Sequence, residues 1–266
     1  MAILTVSRQI ASLGDEICKS IASHLGYKFV SRTDIEQRIL DLGFSKSKLK
    51  KFDEKKPGFL SSLTSDRDEY LDYLQLAILE AAADDNCVII GRGSFIILKE
   101  LPNHISLKII AEKDLRISRY EDEHKCGLKK ALKIVNESDS NRDGFNKSFF
   151  DFDVNNPAMF HLVINTGLLD IDSISSSVET LVKSAVTKEK SALGNRKAKE
   201  LLLAQKIVNL LKYENSLVIK FLHAEANENR ITLHGIADSK SEIEKAVKIV
   251  NEKLPDYKVI SRISDI

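Results

Sequence analysis

Five short apolar runs set the architecture of this chain: Ile3 to Val6, Tyr27 to Val30, Cys87 to Ile90, Ile105 to Ile110 and Leu162 to Ile164. None alternates with polar residues, so each reads as a strand buried on both faces, the mark of a parallel sheet. Between them lie segments of helical spacing. Ile17, Cys18, Ile21, Ala22 and Leu25 form one apolar face, closed by Gly26, and Leu71, Leu74, Ala77, Ile78 and Ala81 form another. Leu132 and Val135 mark a shorter one, and a helix from about Ile174 to Val186 closes the pattern. Strands alternating with helices predict an α/β fold with a doubly wound, parallel five-stranded sheet. A ligand of such a sheet binds beyond the carboxyl ends of its strands.

The pattern changes after a polar, Gly-containing stretch at 188–195, read here as a linker. Ala198 to Leu211 is an amphipathic helix, Val218 to His223 and Arg230 to His234 are short strands, Ser239 to Leu254 is a helix and Tyr257 to Ile263 a last strand. The order αββαβ is that of a small α+β domain. The expected organisation is therefore residues 1–187, a linker at 188–195, and residues 196–266. With 266 residues, 43% of them hydrophobic and 30% charged, the chain has material for two cores. A net charge of +1 gives no overall pull toward nucleic acid or membrane. Three scattered cysteines suit a reducing compartment. Without a basic leader or an apolar run near 20 residues, the expectation is a cytoplasmic protein with no transmembrane segment.

The first strand runs into Ser7-Arg8-Gln9-Ile10-Ala11-Ser12-Leu13-Gly14-Asp15-Glu16 and then a helix. Strand, tight loop and helix N-terminus is phosphate-binding geometry, because free backbone N–H groups and the helix dipole face the anion. Ser7, Ser12 and Gly14 are the loop's candidate phosphate contacts. A working phosphate loop also needs a lysine and a Ser/Thr, and Asp15 and Glu16 stand there instead. An ordinary strand-to-helix turn with acidic residues at the helix start explains the segment equally well.

Several segments resemble the cytidylate kinase-like family in order along the chain. They are 5–17 with 25–32, Asp53-Glu-Lys-Lys-Pro57, Val88-Ile-Ile-Gly-Arg-Gly93, Leu115-Arg-Ile-Ser-Arg119, Asp139-Ser-Asn-Arg142 and His161-Leu-Val-Ile-Asn-Thr166. The lysine is missing throughout that branch, whereas its loop glycines are Ala11 and Leu13 here and His161 stands where an aspartate is common. The resemblance implies transfer of the ATP γ-phosphate to CMP or a similar nucleotide, with Mg²⁺ as cofactor. It places Arg92 and Arg142 on the acceptor phosphate, Asp139 on the base or hydroxyls, and Arg116 and Arg119 toward the donor phosphates. Arg8 is the candidate to replace the missing lysine, and Arg38 joins the acceptor site. Arg8, Arg119 and Arg142 are the candidate catalytic cations. The alternative is a catalytically inactive nucleotide sensor or scaffold.

Residues 125–153 read as a lid whose flexible tip is Asn141-Arg-Asp-Gly144 and whose Phe145, Phe149, Phe150 and Phe152 pack its base. His124 and Cys126 are too sparse for a metal site, and none is expected. The lysine run from Lys46 to Lys56 reads as a solvated acceptor-binding segment, with no nucleic-acid partner expected. At the C-terminus, Ile231-Thr-Leu-His-Gly-Ile236 followed by a helix and Tyr257 to Ile263 resembles a BON domain. That resemblance implies a ligand, phospholipid or protein partner and no catalysis.

Overall fold

The computed structural model describes residues 2–52, 65–84 and 86–265. The chain divides into two compact units, Met1–Gly194 and Asn195–Ile266.

The N-terminal unit is built on a parallel five-stranded sheet. Its elements run β1 (Ile3–Arg8), α1 (Gly14–Leu25), β2 (Lys28–Val30), α2 (Arg32–Asp41), α3 (Lys46–Leu49) and α4 (Ser65–Asp84). They continue with β3 (Cys87–Ile90), α5 (Ser94–Ile97), β4 (His104–Ile110), α6 (Lys113–His124), α7 (Leu128–Phe150), β5 (Leu162–Asn165) and α8 (Ile171–Ala185). The strand order is β2-β3-β1-β4-β5. The chain thus winds to one side of β1 for β2 and β3 and to the other for β4 and β5. The carboxyl end of β1 lies at this change of direction, where such sheets bind ligands. Val6 pairs with Ile90 on one side and Leu107 on the other.

Both faces of β1 are covered. Leu4 and Val6 pack with Ile17 and Ile21 of α1 and Ile174 and Val178 of α8. The opposite face carries Ile3 and Thr5, also fully buried. This two-sided burial is why the strands read as continuous apolar runs. Left-handed Gly26 closes α1, its N–H donating to Ala22 and Ser23 carbonyls. Ser31 and Asp34 form a reciprocal capping box on α2.

Two expectations change here. The segment 141–144, read as a flexible lid tip, lies inside α7, a continuous helix of 23 residues. Phe145 and Phe149 anchor it: Phe149 packs edge-on against Tyr70 at 5.4 Å and Phe52 at 5.9 Å. Burial of Ala131 and Val135 before Gly144 and of Phe145 and Phe149 after it outweighs its low helix propensity, which costs about 1 kcal/mol. The stretch 188–195, read as a linker, is helical and opens α9 (Lys188–Asn209). Thr187 caps it, its hydroxyl accepting from the Lys190 N–H at 3.3 Å. Polarity there marks a solvated helix, since Lys, Glu and Ala are strong helix formers.

The C-terminal unit takes the rest of α9, a π turn at Leu210–Glu214, β6 (Ile219–Asn227), β7 (Arg230–Ala237), α10 (Lys240–Lys253) and β8 (Lys258–Asp265). The sheet order is β6-β7-β8, antiparallel then parallel. Ile207, Leu211, Leu222, Ile231, Leu233, Ala246 and Val250 form its core. Among the described residues, no helix is long and apolar enough to cross a membrane.

Candidate functional site

The loop from β1 to α1 holds its shape by an unusual backbone. Ala11 has φ 56° and Leu13 φ 62°, both left-handed. These are the positions that resemblance assigns to glycine, and the conformation persists without it at a cost of roughly 1–2 kcal/mol each. Side chains hold the turn in compensation. The buried Ser12 hydroxyl donates to the carbonyls of Gln9 (2.9 Å) and Ile109 (3.3 Å). The Thr166 hydroxyl donates to the Ser12 carbonyl at 3.1 Å, and Gln9 Oε1 accepts from the Ala111 N–H at 3.2 Å. Ser12 is thus turned into the protein and ties the loop to β4 and β5.

Arg8 lies across Gly14. A Cβ at Gly14 would meet Arg8 Cγ at 2.5 Å, so only glycine lets the arginine reach over the helix start. Its Nε is 3.3 Å from Asp15 Oδ1.

The other predicted arginines divide into two groups. Arg92 and Arg116, each 3% exposed, are locked into the protein. The Arg92 guanidinium is ion-paired to Glu36 and donates to the Phe52 carbonyl (3.0 Å) and Tyr70 hydroxyl (3.3 Å). Arg32 and Arg92 together hold the Glu36 carboxyl below its usual value against the opposing effect of burial. Arg116 grips Asp139 with two bonds of 3.0 and 2.9 Å, joining α6 to α7. Asp139 and Arg116 therefore satisfy each other. Arg38 sits apart, 3.3 Å from Asp84.

Arg8, Arg119 and Arg142 come together. They line one cleft of about 240 Å³ between the loop and α6, with Gly14, Asp15, Glu16 and Glu123 on its rim. Arg119 is held by the Thr166 hydroxyl and carbonyl at 3.0 and 2.8 Å, and Arg142 by the Ser138 hydroxyl at 2.6 Å. Arg8 and Arg142 also line an adjoining recess of about 170 Å³ with Ser7, Lys108 and Asp139. Arg92 meets Arg8 and Arg142 only in a third, much smaller hollow beside Ser7. The segment Asp53 to Pro57 and the lysine run beyond Phe52 lie outside the described residues.

Lys108 is a cleft cation that the sequence reading passed over. It sits inside the apolar run of β4, only 6% exposed, and burial lowers its pKa while Asp143, Asp153 and Asp139 oppose the shift. Its Nζ donates to the Val154 carbonyl and to Asn155 Oδ1. A lysine within a buried strand is itself the signal, since lysine is almost never fully buried without a partner. A larger depression of about 830 Å³ near β5 is lined by Leu115, Leu162, Ile164 and Leu168 and by no lysine or arginine. Volume and charge disagree, and an anion belongs where the cations are.

A doubly wound parallel sheet with a strand–loop–helix turn under an arginine-lined cleft defines a kinase-like nucleotide-binding fold. Residues 3–168 match the cytidylate kinase-like family, and the chain belongs to that family. Among solved structures, it is similar to an uncharacterized protein from Eubacterium ventriosum, with 18% identity, TM-score 0.55, and coverage of 69% of this chain and 99% of that one. A shikimate kinase from Bacteroides thetaiotaomicron aligns at 15% identity and TM-score 0.42, over 69% and 97% of the two chains. Comparison with the curated proteins gives no match.

Proposed function

We propose that the N-terminal unit binds a nucleotide with its phosphates in the cleft under Arg8, Arg119 and Arg142, and transfers the ATP γ-phosphate to CMP or a similar nucleotide. The convergence of these three arginines at the carboxyl end of β1 carries the reading. Phosphoryl transfer asks chiefly for positioning and positive charge, and guanidinium groups supply both. Ser7, Gly14 and Lys108 complete the phosphate surroundings, with Arg92 and the Arg116–Asp139 pair as supports around it, while Arg38, paired to Asp84, stands outside it. The rim carboxylates Asp15, Glu16 and Glu123 are hard oxygen donors of the kind Mg²⁺ prefers, so nucleotide would enter as its Mg²⁺ complex. Those same acids would oppose a bare triphosphate.

A second reading, nucleotide binding without catalysis, is favoured by one observation: Arg8, the substitute for the missing lysine, is paired with Asp15. The C-terminal unit fits a BON-like module for a ligand, phospholipid or protein partner, on the strength of its αββαβ order and the Ile231 to Ile236 segment on β7.

Thermal shift with ATP·Mg²⁺, CMP, other nucleoside monophosphates and cyclic nucleotides, followed by ADP release on every hit, tests both. A ligand at 100 times its Kd adds about 2.7 kcal/mol. A shift with ADP release that Arg142→Ala abolishes supports the kinase. A shift without ADP release supports the sensor, and no shift with any nucleotide overturns both.

A further inference from the structure

The outer face of the C-terminal sheet carries a cluster that the cleft does not involve. His223 and Glu225 are two apart on β6 and so share a face. His234 on β7 stands directly opposite His223 in the antiparallel register. Leu222, Ala224, Ile231 and Leu233 alternate with them and point into the core, which leaves the three on the other side of the sheet. Each offers one ligand atom, and the three atoms lie within 4.8 Å of one another. We propose that His223, Glu225 and His234 form a binding site for a divalent transition-metal cation of the zinc type.

Three details point to a ligand rather than to a chance meeting of polar groups. First, His234 Nε2 is buried with no hydrogen-bond partner, 3.7 Å from Glu225 Oε1. A desolvated imidazole nitrogen without a hydrogen-bond partner is unfavourable, and a bound cation would satisfy it. Second, the His223 Nδ1–H donates to the Phe221 carbonyl at 3.3 Å. With the proton on Nδ1, the tautomer this bond requires, Nε2 keeps its lone pair, as in histidines held for metal by an outer carbonyl. Third, β6 is irregular just before His223. The β6–β7 register shifts between Lys220 and His223, and Phe221 takes φ 54°. Bulges of this kind re-aim the next side chain.

The two rings lie parallel at 4.5 Å. Tetrahedral zinc, with ligand bonds of about 2.0–2.2 Å, sets ligand atoms about 3.4 Å apart. The gap is therefore closed by splaying two exposed side chains, His223 and Glu225, toward the less exposed His234. Two imidazoles and one carboxylate suit zinc-type cations, whereas Mg²⁺ and Ca²⁺ prefer all-oxygen shells. Three protein ligands leave a fourth position open. Arg262, opposite His234 on β8, is a cationic neighbour that limits affinity.

Full-length protein without an affinity tag, free of nucleotide, is titrated with ZnCl₂ by calorimetry and with Co²⁺ by visible absorption. One equivalent should bind, with tetrahedral-type Co²⁺ bands, and MgCl₂ should give no heat. His234→Ala and the gentler Glu225→Gln should each weaken Zn²⁺ by at least about tenfold, given the cost of losing even outer partners of a metal site. Circular dichroism melting identifies any variant that fails to fold, and Glu225→Gln, on a residue 67% exposed, then decides. Absence of binding at 100 µM Zn²⁺, or binding undiminished in both variants, overturns the site.

Discussion

His104 opens β4 with Nε2 2.7 Å from the Thr5 hydroxyl, deep in the N-terminal unit. Burial, and then repulsion from the His161 ring, depress its pKa to about 3. An unfolded histidine titrates near 6.5. Between those values the unfolded chain holds a proton that the folded chain refuses, so stability falls as pH drops from about 6.5 toward 3. The slope from this one group reaches about 1.4 kcal/mol per pH unit. Urea unfolding at a series of pH values should show that loss, and His104→Gln should flatten it; an unchanged pH profile would reject the assignment. Backbone strain gives a second test. Ala11→Gly should relieve a left-handed non-glycine residue and stabilise by about 0.5–1 kcal/mol, net of the extra unfolded-state entropy. Leu13→Gly should not, because Leu13 packs against the core of α1 and α8, and losing that contact offsets the relief. Melting temperatures of the two variants separate the cases. Of the candidate site, Arg8 stands out in the sequence by its place at the end of the first strand, whereas Arg119 and Arg142 lie inside α6 and α7 and were singled out through the family resemblance. Arg92 and Arg116 were equally visible, but their ion pairs were not: Glu36 and Asp139 come from distant helices, and spacing along the chain carries no sign of them.

At the scale of elements, the joint between α6 and α7 is the most exposed to mutation. Arg116 is almost wholly enclosed, and its two bonds to Asp139 with a third to the Ala111 carbonyl engage all three of its nitrogens. Asp139→Ala would leave that charge buried and unpaired. Full burial of such a charge costs about 3–5 kcal/mol, and because Asp139 keeps 30% side-chain exposure the expected loss is lower, about 2–3 kcal/mol. Pairing Asp139→Ala with Arg116→Met should recover most of it, which a double-mutant cycle in urea measures; equal loss in both would show that the pair does not act as a unit. The strands of both units and most helices were readable because burial on two faces leaves continuous apolar runs and burial on one leaves a stripe. The lid tip and the stretch 188–195 are helical against expectation for a shared reason, although the division between the units falls inside 188–195. Gly144 and the polar 188–195 carry loop composition, while what fixes them as helix is aromatic packing in one case and the Thr187 cap in the other.

For the whole molecule, the division at Gly194 and Asn195 predicts that stability is not a single quantity. Each unit has its own core, one around β1, α1 and α8 and the other around β6, β7 and α10. A ligand stabilises only the unit that binds it, by mass action on that unit's folding equilibrium. Nucleotide with Mg²⁺ should therefore raise one melting transition and Zn²⁺ the other. Differential scanning calorimetry of the full chain, with each ligand alone and then both, should show two separately movable transitions whose shifts add. Arg142→Ala should cancel the first shift and spare the second, and Glu225→Gln should do the reverse. A single transition that both ligands move together would mean that the units unfold as one.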